Sequence, residues 1–121
     1  MATMDYTMKR CYREASVPSP AEFRAGVRYK VIALPGVPKL PRHYKYFEAI
    51  VVDRATQVIG YNKSLIKWGK LVVEEGQGCV VFRYKRWGIE DYVKRMTDGI
   101  YVGKFYRHSK FKGYFLLVRE D

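Results

Sequence analysis

From Val27 to its C-terminus the chain is written in short β-rich runs separated by brief turn segments, a spacing that few architectures other than antiparallel ones satisfy. Arg28 and Lys30 alternate with Tyr29, Val31 and Ala33, and Tyr46 and Glu48 alternate with Phe47, Ala49 and Val51, so both stretches read as strands. Arg54-Ala55-Thr56, Glu74 to Gly78 and His108 to Lys112 each divide two further runs, and connections this short join antiparallel neighbours. Between the first two strands lies Pro35-Gly36-Val37-Pro38-Lys39-Leu40-Pro41. Its prolines lack the donors a ladder needs, and a loop of that length is often a portal or lid.

Two segments read as helical. Ser19-Pro20-Ala21-Glu22 has the form of a capping box with proline at the first helical position, which predicts a short turn near 20–25. Ile89, Tyr92, Val93 and Met96 fall at i, i+3, i+4 and i+7, with Glu90 and Asp91 at the start and Lys94 and Arg95 near the end, which predicts a helix over 88–96. Residues 1–18 show no clean periodicity and read as an N-terminal arm, leaving 19–121 as one domain. About seven strands with one inserted helix fit a closed meander better than an open sheet, because closure removes exposed edges. The expected fold is mainly β, a single antiparallel meander β-barrel.

Composition excludes several classes. With 48% hydrophobic and 16% aromatic residues the chain is too apolar to be intrinsically disordered. Its longest apolar runs, such as Val31 to Leu34, fall far short of the roughly 20 residues of a membrane-spanning helix. Met1 to Arg10 has no apolar stretch of signal-peptide length, so a cytoplasmic location is the expectation, and there Cys11 and Cys79 are expected to stay unpaired. The net charge of +11 is the footprint of a nucleic-acid binder, yet Lys and Arg number ten in residues 1–60 and thirteen in 61–121. Neither half is a basic tail, and strands with a wet exterior produce the same charge.

Metal and nucleophile arrangements are not evident. His43 and His108 stand in basic, loop-like contexts, neither cysteine has a partner at ligand spacing, and Gly76-Gln77-Gly78 reads as a hairpin turn. No metal or cofactor is expected. Carboxylates on apolar strands are candidates for proton transfer, because such a group either meets water or sits in a cavity with a raised pKa. Glu48 shares its face with Tyr46, Ile50 and Val52, and Glu74 shares parity with Val72 and Lys70; a solvated strand residue is the plain alternative for each. Asp91 reads as helix-terminus electrostatics. Tyrosine supplies apolar area with an orienting hydroxyl, so Tyr46, Tyr61 and Tyr84, with Lys104 as a polar anchor, are candidates to line a cavity. Tyr84, Arg86, Trp87, Lys104 and Tyr106 also interleave rings and cations as a single-stranded nucleic-acid platform does.

Val73-Glu74, Tyr84, Ile89-Glu90-Asp91-Tyr92, Val102-Gly103-Lys104 and Tyr114 through Asp121 together resemble the C-terminal module of a small, little-characterised family that pairs it with a GXWXG-type segment. The resemblance covers about two-fifths of the chain, and Trp68-Gly69-Lys70 is similar to the family's Trp-Gly-Lys element. It implies a calycin-like, lipocalin-sized barrel with a small-molecule cavity. The expected function is binding of a small hydrophobic or aromatic molecule, extending to cofactor-independent cyclisation or isomerisation with Glu48 or Glu74 moving a proton. The alternative is a basic single-stranded nucleic-acid module.

Overall fold

The computed structural model describes residues 2–121, with side chains from Asp5 onward. Eight strands form one closed antiparallel barrel in chain order. They are β1 (Arg28–Ala33), β2 (Tyr44–Val52), β3 (Ala55–Lys63), β4 (Lys67–Glu75), β5 (Val80–Tyr84), β6 (Ile89–Thr97), β7 (Ile100–Arg107) and β8 (Lys110–Glu120). Pairing of β1 with β8 from Arg28↔Glu120 to Ala33↔Phe115 closes the cylinder. The seam between β1 and β2 is short, with only Tyr29↔Lys45 and Lys30↔Tyr44 in register.

The helix expected over 88–96 is strand β6, paired with β7 along its length and with β5 from Glu90 to Val93. Ile89, Asp91 and Val93 turn inward. An ionisable residue at the centre of that inward set breaks the apolar alternation, so the helical spacing of Ile89, Tyr92, Val93 and Met96 is left as the louder local signal. Conversely, the N-terminal arm holds a helix, α1 (Ala2–Glu14). Met8 packs with Val102 of β7 and Tyr114 of β8 on the outside of the barrel, with Tyr12 and Ala15 against them. The stripe Met8, Tyr12, Ala15 is the helical signal that the segment's charges obscure.

The turn near 20–25 is present as a 3-10 helix at Pro20–Glu22, and the Ser19 N–H donates to Glu22 Oε1 at 3.2 Å. Its purpose is packing. Phe23 follows it into one end of the barrel, with ring centroids 4.8 Å from Tyr101, 5.1 Å from Phe47 and 5.1 Å from Phe82. Tyr101 donates its hydroxyl to Glu22 Oε2 at 3.1 Å, and Tyr29 donates to the Glu22 carbonyl at 3.2 Å. That end is plugged with aromatic rings. Inward glycines leave room for rings within the barrel: a Cβ on Gly103 would lie 2.2 Å from Phe115 Cζ.

Candidate functional site

At the opposite end the rings give way to a cavity of about 480 Å3. Trp68, Trp87, Ile89 and Phe105 form its walls, and Val37 and Leu40 of the proline-rich loop lie across it. The loop is held against β8 by close backbone approach. Gly36 has φ +97°, and a Cβ there would lie 1.9 Å from the Lys112 carbonyl oxygen, so only glycine fits. Arg107 and Lys112 stand at the exposed rim.

The floor is polar. Lys45 on β2 and Asn62 on β3 are cross-strand partners, while Tyr84 on β5 and Asp91 on β6 reach in from across the barrel. Lys45 Nζ donates to Asn62 Oδ1 at 2.7 Å and to the Tyr84 hydroxyl, and lies 3.6 Å from Asp91 Oδ2. Asn62 Nδ2 donates to the Gly69 carbonyl at 3.2 Å and to the Tyr84 hydroxyl at 3.0 Å. With two donors already directed at it, the Tyr84 oxygen turns its own proton toward Asp91, to which it is hydrogen-bonded. His43 Nε2 lies 2.8 Å from Asn62 Oδ1, an acceptor, so Nε2 carries the proton and Nδ1 is a bare acceptor. Among the described residues two buried acceptors are left without a partner, His43 Nδ1 and Asp91 Oδ1.

Burial dominates the electrostatics. It lifts the Asp91 carboxyl to about 6 against the opposing pull of Lys45, and it lowers the Lys45 ammonium against the opposing pull of Asp91. Burial, and then the Lys45 charge, hold His43 down to about 4, so its imidazole is neutral near pH 7. Tyr84 is raised well above a free phenol by burial and then by Asp91, and it stays protonated.

Of the residues expected to line a ligand cavity or move a proton, Tyr84 alone reaches this cavity. Tyr46 and Glu48 face outward on β2, because Lys45 and Phe47 hold the inward positions. Tyr61 is outside as well, stacked on Tyr46 with centroids 5.3 Å apart. Glu74 accepts from Arg83 at 2.8 Å on the outer wall, and Lys104 sits over the Tyr12 ring at 4.5 Å beneath α1. The proton-moving role expected of Glu48 and Glu74 therefore has no access to the interior. Asp91, read as a helix terminus, is the buried carboxylate among the described residues. The basic-aromatic set is divided too: Tyr84 is inside, Trp87 is at the cavity mouth, and Tyr106 is on the outer face of β7. Lys45 and Asn62 were not singled out, and His43 was weighed only as a metal ligand; the signal for Lys45 was its shared parity with Phe47.

A larger concavity of about 1180 Å3 runs along the outside, where β2 parts from β1 below their short seam. Tyr46, Glu48, Tyr61, Lys67 and Lys70 line it. It is a solvated groove, and no unpartnered buried side-chain atom among the described residues belongs to its lining. Both cysteines are free thiols, no cluster of His, Cys, Asp and Glu among the described residues could hold a metal ion, and no described helix is long and apolar enough to cross a membrane. No protein-family model, curated protein or solved structure matches the chain.

Proposed function

We propose that the protein binds a small hydrophobic or aromatic molecule in the open end of its barrel. The observation that carries this reading is an apolar, tryptophan-walled cavity of about 480 Å3 that ends on a buried polar cluster. That volume lies within the ~300–1,000 Å3 common to ligand sites, and apolar walls with a few polar groups are their usual construction. The resemblance of residues 73–121 to the barrel-forming family module supports the same reading. The test is native mass spectrometry of freshly purified protein together with uptake of an anilinonaphthalene dye. Bound small molecules, or dye uptake that Trp68→Ala and Phe105→Ala each weaken about tenfold, support it. A folded barrel that takes up no apolar compound contradicts it.

A second reading is cofactor-independent isomerisation, with Asp91 in the role first given to Glu48 and Glu74. The unpaired Oδ1 favours it, since a carboxylate with a free oxygen on a cavity floor is placed to accept a proton. Deuterium exchange at the α-carbon of a bound aromatic ketone, lost in Asp91→Asn, would support this reading; equal exchange in both proteins would remove it. The nucleic-acid alternative draws support from the +11 charge and the outer Tyr46–Tyr61 stack with Lys67 over Tyr61 at 4.1 Å. Oligonucleotide titrations at several salt concentrations decide it, because phosphate contacts impose a steep salt dependence.

A further inference from the structure

We infer that the ligand is a flat aromatic molecule with a hydrogen-bond donor, a hydroxyl or N–H, at its buried end and an anionic group at its outer end. This rests on the cavity reading above and adds the polarity of the ligand to it.

Lys45 has its donors directed at Asn62, Tyr84 and Asp91, and Asn62 and Tyr84 are engaged with one another. What remains unpartnered among the described residues is acceptors only, His43 Nδ1 and Asp91 Oδ1. A buried polar group without a partner costs about 1–3 kcal/mol, so a donor brought to either atom recovers free energy that an acceptor cannot. A ligand that offers only a carbonyl or ether oxygen would add lone pairs to lone pairs. The floor thus selects for O–H or N–H, and both His43 and Asp91 line the cavity.

The walls and rim supply the rest. His43 and Trp68 lie with rings 5.4 Å apart, and Trp68 and Trp87 lie 6.2 Å apart, so three ring systems run from the floor to the mouth. Aromatic side chains arranged in this way favour a planar occupant. At the mouth Arg107 and Lys112 are exposed, and among the described residues neither takes part in an ion pair. Among the described residues Asp91 is the only acid lining the cavity, and it lies at the far end. Negative charge on the ligand therefore belongs at the rim and not at the floor.

Calorimetric titration of the intact protein with hydroxynaphthoate, naphthoate, methoxynaphthoate and naphthol tests both ends of the ligand. Hydroxynaphthoate is expected to bind about tenfold more tightly than naphthoate or methoxynaphthoate, the scale of one recovered buried hydrogen bond. Its affinity is expected to fall with added salt, and that of naphthol to hold steady. In His43→Leu the advantage of the hydroxyl should shrink toward unity. Should that variant fail to fold, the 15N shift of His43 Nδ1 in the unmodified protein gives the same information, moving on addition of hydroxynaphthoate and staying put with methoxynaphthoate. Equal binding of the hydroxy, methoxy and unsubstituted acids overturns the donor inference and leaves the cavity reading standing. Naphthol matching hydroxynaphthoate at every salt concentration overturns the anionic end. No binding by any of the four overturns the inference and the cavity reading together.

Discussion

Lys45 and Asp91 are each almost fully buried, and they hold one another in an interior otherwise made of rings, aliphatic side chains and Asn62. Burying two charges costs several kcal/mol per ion, and the pair offsets this only while both partners remain. Lys45→Met leaves Asp91 with no cation and Asp91→Leu leaves Lys45 with no anion, so each single change should destabilise by about 2–4 kcal/mol, and the double change by less than the sum. Urea unfolding of the four proteins checks this. Strict additivity would mean that the two groups do not interact.

His43 sets a pH dependence of definite sign. Its folded pKa near 4 lies below the unfolded value near 6.5, so its contribution to stability is complete above about pH 6.5 and is lost as pH falls toward 4. Asp91 runs the other way: its pKa is raised from 3.8 to about 6, so stability attached to its protonated form is present below about pH 4 and lost as pH rises through 6. The two slopes oppose within one window. His43→Gln leaves only the second, and relative to the unmodified protein it should gain about 1–2 kcal/mol between pH 7 and pH 5. Urea midpoints at those two pH values give the answer, and an unchanged difference would show that His43 titrates as an ordinary exposed histidine.

At the scale of elements, close approaches of glycine decide where the loop and the aromatic rings can sit. Gly36→Ala combines a positive φ with a collision against the Lys112 backbone, and it should both destabilise the fold by about 2 kcal/mol and loosen ligand binding, since the loop covers the cavity. Gly103→Ala drives a methyl into the Phe115 ring and should cost about 1–3 kcal/mol. Thermal melts of each variant, with dye affinity for the first, test these values. Much of this level is legible in the sequence: the proline-rich loop, the capping turn before Phe23 and the short hairpins all follow from residues with restricted backbones. Strand β6 and the inward face of β2 are not legible, and for one reason. Asp91 and Lys45 occupy core positions, so the strand pattern is broken in β6 and the inward face is disguised in β2, and each is explained only by the other across the barrel. A choice of face made strand by strand cannot see that compensation. It favoured Tyr46 and Glu48, an aromatic and a charged residue on one face, as Phe47 and Lys45 are on the other.

For the molecule as a whole, the barrel separates two tasks. The end plugged by Phe23 and tied through Glu22 to Tyr29 and Tyr101 supplies rigidity, and the end beneath the proline-rich loop keeps its interior open. The +11 charge lies almost wholly outside this arrangement, on outward strand positions and in the connecting loops, with Lys45 as the buried exception. Its two outlets are the rim cations Arg107 and Lys112 and the outer groove with Lys67 and Lys70, and occupancy of one against the other separates the binding readings. Amide and indole resonances of the 15N-labelled protein, followed while hydroxynaphthoate is added, make that distinction directly. The account predicts shifts at the indoles of Trp68 and Trp87 and at the amides of Val31, Ile89 and Phe105, with Tyr46, Tyr61 and Lys67 unmoved. Shifts confined to the outer groove would contradict it.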